Sequence, residues 1–278
     1  MEMVRALELL GGYTAGQWGM VTTRQALAVG VGDVTLHRLR GAGLLETVRR
    51  GVHATTSSAA SDARLEQAAW LALRPDTAGW ERPALDPDGG VVSHRSAARL
   101  HGLGDLPDSG VEITVPRRRT TRDPGVRLHR AELRQDDVAL LDGLPITTPV
   151  RTICDLLGRH VDASHIATII RQSVKAGQVD LADLVERIGP HARRYGVARG
   201  NGVELLAQLL AQIGVSPGEL AIVSPRLTWK GLSESTWGQL AKTEVTWGDL
   251  ATASPEFLQR LLRAAPDRDA TTDQDDRS

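Results

Sequence analysis

The chain has 278 residues with 33 basic and 34 acidic side chains, and 41% of it is hydrophobic, enough to core one small and one medium domain. A formal charge of −1 excludes a protein whose whole surface coats nucleic acid, while leaving room for a local basic patch. No run of about 18 apolar residues predicts a membrane span, the opening MEMVRALELLGG does not read as a signal peptide, and the single cysteine, Cys154, fits a reducing cytoplasm and no internal disulfide. Lysine occurs only at Lys175, Lys230 and Lys242, so any anion-binding surface has to be built from arginine, whose guanidinium forks onto phosphate and guanine.

In chain order, Met3, Val4, Leu7 and Leu10 have helical spacing, and Gly11-Gly12 predicts the end of that helix. Thr22 or Thr23 can cap a short second helix with Ala26, Leu27 and Val29 inward. After the turn Gly30-Val31-Gly32, Asp33 can cap a third helix, Val34 to Arg40, with Leu36 and Leu39 on its buried side. Leu44 to Val48 and Val52 to Ala54 read as two short strands around a basic turn, Arg49-Arg50-Gly51. Helix, helix, turn, helix, strand, basic turn, strand is the order of a winged helix-turn-helix.

Thr55 to Asp62 is small and polar, a linker. Helices are predicted at 64–73 and from Ser93 to about His101, strands at 111–115, 126–129 and 144–147, with 111–129 taken as a hairpin across an arginine-rich turn. Thr148-Pro149, Asp162 and Asp180 each start a helix, and Val203 to Ile213 is another. Strands followed mostly by helices make the second domain α+β. Thr-Trp-x-x-Leu recurs irregularly at Thr228, Thr236 and Thr246, Ser254-Pro255 can start one more helix, and the last residues are acidic and polar. The expected organisation is a DNA-binding domain (1–55), a linker (56–62), an α+β domain (63–214), a Trp-containing extension (215–265) and a disordered tail (266–278).

If Leu36 and Leu39 face the core, helical geometry turns Val34, His37 and Arg38 outward with Thr35 on the flank. A second helix of this kind enters the major groove. There Arg38 can fork onto guanine O6 and N7, while Val34 and Thr35 can touch base edges or a thymine methyl and His37 can donate to phosphate or base. Arg24 and Gln25 open the preceding helix, where phosphate contacts fall, and Arg49 and Arg50 at the wing tip can reach the backbone or minor groove. The alternative is a winged helix that docks proteins. Five arginines from Arg24 to Arg50, against two acids, favour double-stranded DNA.

The string VTTRQALAVGVGDVTLHRLRGAGLLETVRRGVHA, followed by VVSHRSAARLHGLGDLP, VEITVPRRR and LPITTPVRTICDLL, resembles the AbiEi-type antitoxins of type IV (abortive-infection) toxin–antitoxin pairs over roughly residues 1 to 210. The resemblance implies two roles. The winged helix would bind promoter inverted repeats and repress its own operon, and the second domain would neutralise a cognate nucleotidyltransferase-type toxin. It ends near Val215. A nuclease domain, which some similar chains carry there, needs an Asp and a Glu-x-Lys, and the residues two places before the three lysines are Ser173, Thr228 and Leu240.

Arg117, Arg118, Arg119, Arg122, Arg127, Arg130 and Arg134 form a second basic patch, either a nucleic-acid or acidic-partner contact or a solvated edge that blocks strand pairing. His94 and His101 lie two helical turns apart, too far to share a metal directly, and with Ser93 they read as a capped packing helix. Thr148, Arg151 and Asp155 read as a helix start with an i,i+4 pair, and Cys154 as core. Phosphate-loop and dinucleotide motifs are absent from the sequence. No catalytic set, metal or cofactor is expected.

Overall fold

The computed structural model describes residues 2–107, 110–159 and 161–222, and it divides into two compact units, 1–155 and 156–278. The tryptophan-containing stretch beyond residue 222, the helix expected from Ser254-Pro255 and the acidic tail lie outside the described residues.

The first unit opens with α1 (Glu2–Thr14), which runs through Gly11 and Gly12 instead of stopping there. Both glycines project into open space, and the apolar row continues past them to Tyr13, which packs on the core. Then come β1 (Met20–Thr22), α2 (Thr23–Ala28), α3 (Asp33–Gly41), β2 (Leu45–Arg49) and β3 (Val52–Thr55). The three strands form one antiparallel sheet in the order β1-β3-β2, with Met20 opposite Ala54 and Thr47 opposite His53. Ala6, Leu10, Val21, Ala26, Val31, Leu36, Leu39 and Leu45 make its core. This is the winged helix-turn-helix, with β1 as a strand that the sequence reading did not mark.

Two local details differ from expectation. Leu27, expected inward, is 49% exposed, and the buried positions of α2 are Gln25 and Ala26. Asp33 is the first residue of α3 and Gly32 its cap, so α3 starts without a side-chain cap.

Next, α4 (Arg64–Leu73) is buried on two sides. Its Ala68, Trp70 and Leu71 pack with Met20, Val52 and Ala54 of the wing sheet, and its Ala69 and Leu73 pack with Val111, Ile113 and Val115. The buried Arg82 guanidinium donates to the carbonyls of Trp70 (2.9 Å), Leu71 (3.1 Å), Thr77 (3.1 Å) and Arg74, closing the end of α4. Burial lowers its pKa to about 10, which leaves it charged at neutral pH.

A five-stranded sheet follows, in the order β6-β5-β4-β8-β7. Its strands are β4 (Val91–Val92), β5 (Val111–Val115), β6 (Val126–Arg130), β7 (Val138–Leu141) and β8 (Leu144–Thr147), with α5 (His94–Leu100) between β4 and β5. β5 and β6 do not form the expected hairpin. They run parallel, Val111 beside Val126 and Val115 beside Arg130, so residues 116–125 must travel back along the sheet before β6 begins. The actual hairpin is β7–β8, joined by Asp142-Gly143 with φ of +49° and +83°, the pair of left-handed residues that a two-residue turn of matching twist requires. The unit closes into α6 (Pro149–Gly158), whose first turn is held by the Thr152 amide on the Thr148 carbonyl (2.8 Å).

The second unit is helical: α7 (Ala163–Lys175), α8 (Leu181–Ile188), a 3-10 turn (Gly189–Tyr195), α9 (Gly202–Ala211) and α10 (Pro217–Ile222). Asp162, Asp180 and Asn201 cap α7, α8 and α9 through their side chains. Ile166, Ile169, Ile170 and Val174 are fully buried on one face of α7, as their spacing predicts. Gly202 lets α9 approach α8, since a Cβ there would lie 1.8 Å from the Val185 carbonyl oxygen. The class is therefore α+β with an N-terminal winged helix.

Candidate nucleic-acid interface

Leu36 and Leu39 anchor α3 and leave Val34, His37, Arg38 and Arg40 exposed, Val34 at 66%, with Thr35 half-buried. The Arg38 guanidinium donates to Glu2 at 3.0 Å and the Thr35 hydroxyl reaches the same carboxylate at 3.5 Å, so the first turn of α1 sits beside the outward face of α3. Arg40 leans to Thr47 of β2 at 3.3 Å. His53, behind the wing, lies between the Thr23 and Thr47 hydroxyls at 3.1 and 3.2 Å. Burial first, then the nearby Arg40 charge, lowers its pKa below 6.5.

Two expected contacts are placed elsewhere. Gln25 is fully buried. Its amide oxygen accepts from the Thr22 N–H while its own N–H donates to the Thr22 hydroxyl, a reciprocal cap, and its NH2 donates to Thr77 and Gln17. It builds the start of α2 and does not reach solvent. Arg49 is only 11% exposed, with its guanidinium on Asp123 (2.7 Å) and on the Leu65 carbonyl (3.0 Å). Asp123 is held below the usual carboxylate range because the Arg49 and Gly125 N–H bonds outweigh burial, which acts to raise it. Arg24 at the head of α2 and Arg50 at the wing tip are exposed, and neither has an acidic partner among the described residues. The exposed set is thus Arg24, Val34, His37, Arg38 and Arg50, with Thr35 beside it.

The second basic patch divides too. Arg117, Arg118, Arg119 and Arg122 lie on the 116–125 crossover, whereas Arg127 and Arg130 lie on β6 and Arg134 beyond it. Arg119 donates to the Asp88 carbonyl (2.6 Å) and the Leu73 carbonyl, Arg117 approaches Asp88 at 3.4 Å, and Arg127 approaches Glu112 at 3.5 Å.

A buried polar cluster escaped the sequence reading. The His94 and His129 rings stack at 3.8 Å, His129 faces Glu112 at 3.5 Å, and Ser93 receives the Thr114 hydroxyl at 2.8 Å and meets His94 Nδ1 at 2.9 Å. Burial acts to raise the Glu112 carboxyl, but the His129 bond, the Arg95 N–H and the imidazoles outweigh it and leave it below the ordinary range. His94 adopts φ +53°, uncommon for a residue with a side chain. Serine, histidine and glutamate in contact suggest a nucleophile, yet Ser93 is fully enclosed and its partners are buried, which closes the group to a substrate. The available signal was alternation: Glu112, Thr114 and His129 are polar positions inside strands otherwise read for their apolar ones. Among the described residues no group of three His, Cys, Asp or Glu could hold a metal, and no helix is long and apolar enough to cross a membrane.

A three-stranded winged helix-turn-helix followed by an α+β module with an enclosed polar core defines the class as a two-part winged-helix protein. Residues 14–55 match the family model described as "Transcriptional regulator, AbiEi antitoxin", and residues 90–205 match the "AbiEi antitoxin C-terminal domain". The chain belongs to the AbiEi antitoxin family. The crystal structure of RV2827C protein from Mycobacterium tuberculosis is similar over 79% of this chain and 80% of that one, at 20% identity and a TM-score of 0.46. No curated protein matches.

Proposed function

We propose that the chain is the autorepressor and antitoxin of a type IV pair: residues 1–55 bind inverted repeats in its own promoter, and residues 63–214 neutralise a cognate nucleotidyltransferase-type toxin in the cytoplasm. The observation that carries the DNA role is the exposed face of α3, with Arg38 on it, together with the exposed Arg24 at the head of α2 and Arg50 at the wing tip, which have no acidic partner among the described residues. In the major groove Arg38 forks onto guanine, Val34 and Thr35 meet base edges or a thymine methyl, and His37, Arg24 and Arg50 take phosphates. The toxin role rests on family membership.

Gel shifts on the upstream DNA across a salt series test the first role. Wild-type binding should weaken steeply with salt, and Arg38→Ala should cost about 1–3 kcal/mol, roughly 5- to 150-fold, on the specific site. Unchanged affinity would remove α3 from the groove. Co-expression with the neighbouring reading frame tests the second role. Arg38→Ala should relieve toxicity as well as wild type does while failing to repress, and failure of the wild type to relieve it would overturn the antitoxin assignment. The competing reading, a winged helix that docks protein, is favoured by the exposed Leu27, Val34 and Leu44. It predicts binding that is indifferent to DNA sequence and to Arg38.

A further inference from the structure

The stacked histidines beside Glu112 stand where α5 is fastened to the five-stranded sheet. The first turn of α5 is bonded to β5 by the Ser93 N–H on the Glu112 carbonyl (2.9 Å), the Thr114 hydroxyl on Ser93 (2.8 Å), the Arg95 N–H on the Glu112 carboxylate (2.8 Å) and the Glu112 N–H on the Ser96 hydroxyl (3.0 Å). His94, inside that turn, reaches one strand further and lays its ring on His129 of β6, with centroids 3.8 Å apart. It does so at φ +53°, a left-handed backbone that costs energy for a residue with a side chain. The stack therefore closes the turn at the residue that is strained by closing it.

The number of charged rings decides whether the stack holds. Ser93 accepts from Thr114, so its own proton is available to His94 Nδ1 at 2.9 Å, a bond that requires this nitrogen to be unprotonated. A charge on His129 lies beside Glu112 at 3.5 Å and is balanced there. A second charge, on His94, would displace the Ser93 proton and lie against the first across the stack, where two like charges in a buried setting repel. The neighbouring elements supply the other charges that face the pair. Arg127 of β6 approaches the same Glu112 at 3.5 Å. Asp137 and Asp155 share Arg151 (3.0 and 2.9 Å), and burial raises the Asp155 pKa, which weakens that carboxyl as a counter-charge in acid. His101, at the far end of α5, is bonded to the Thr147 carbonyl.

We propose that the His94–His129 stack is an acid-sensitive latch: with at most one ring charged it clasps the first turn of α5 to β5 and β6, and with both charged it parts and the turn is released. Ala97 and Leu100, further along α5, pack in the core that also holds Val52 and Ala54 of β3 and Trp70 of α4. Opening therefore loosens the layer beneath the wing, and acid acts on the winged helix from inside the α+β module.

The test is amide hydrogen exchange of the full chain at pH about 7.5 and about 5.5, with protection corrected for the intrinsic rate. In the wild type, protection over residues 95–98 should fall about tenfold or more in acid. In His129→Phe, whose ring stacks but takes no proton, protection should be the same at both pH values. His101→Gln, which removes the imidazole at the far end of α5, should keep the wild-type fall. Unchanged protection in the wild type overturns the proposal, and so does an equal fall in His129→Phe or loss of the response in His101→Gln. If His129→Phe does not fold, the wild type still decides by NMR of its imidazoles: the His94 and His129 rings should titrate in two steps separated by more than about one pH unit, as coupled sites do. A single shared step, or rings that stay neutral down to pH about 4.5, overturns the latch.

Discussion

Arg49 and Arg50 are neighbours in sequence and opposites in environment. Arg49 is enclosed on Asp123 and the Leu65 carbonyl, whereas Arg50 stands exposed at the tip. Removing one partner of an enclosed pair leaves the other imperfectly satisfied. Arg49→Ala should therefore lower stability, by about 1–2 kcal/mol given the partial exposure of Asp123, with the loss read as a lower urea midpoint. Arg50→Ala should leave the midpoint unchanged and weaken DNA binding with a shallower salt slope. If both variants lose only stability, Arg50 is not at the DNA. Nothing in the adjacent letters Arg49-Arg50 tells the two apart, because what separates them is Asp123, a residue far along the chain. Gln25 teaches the same lesson: its type suits a phosphate contact, and the sequence does contain the capping pattern Thr22-x-x-Gln25, which is the reading that the structure takes.

At the scale of elements, spacing was informative wherever one buried face repeats, as in α3, α7 and α9, and less so where a non-local partner decides. β5 and β6 each read as strands, but parallel and antiparallel neighbours have the same alternation, and the arginine-rich segment between them has no helix to announce a crossover. Hydrophobicity alone points Leu27 inward, whereas the positions of α2 that face the core are Gln25 and Ala26, with Gln25 held there by its reciprocal cap on Thr22. The β7–β8 hairpin is legible in the sequence, since Leu141-Asp142-Gly143-Leu144 is an Asp-Gly turn between apolar residues. Gly143 at φ +83° cannot accept a side chain without strain, so Gly143→Ala should cost about 1–2 kcal/mol in denaturation. A change below about 0.3 kcal/mol would mean that the turn relaxes to another form.

For the molecule as a whole, one buried and one half-buried imidazole set a pH response. His53 has its pKa lowered by burial and then by Arg40, with Asp33 opposing, and His101 by burial, with its bond to the Thr147 carbonyl (2.7 Å) opposing. A lowered folded pKa means that the unfolded chain takes up the proton first. The stabilisation is complete above 6.5 and is lost as pH falls from 6.5 through the lowered folded values. Thermal stability should fall between pH 7 and pH 5, before most carboxylates titrate, and His53→Gln should flatten part of that decline. A flat profile through this window would contradict the assignment.

The Arg38–Glu2 contact bears on how the regulator chooses among sequences. The Arg38 guanidinium has an acidic companion from the first turn of α1, in a pair exposed enough to exchange readily. On the proposed reading, engagement of a base would replace one acceptor with another, and because the exposed pair is worth little in water most of the gain at guanine would remain. Glu2, once displaced, would carry its charge uncompensated toward the phosphates. At a site lacking that guanine the arginine would keep its carboxylate, and the pair would meet the duplex with no net charge. On the proposed reading Glu2 of the first helix, as well as α3, would then bear on how readily Arg38 engages a base, the cost falling on engagement itself.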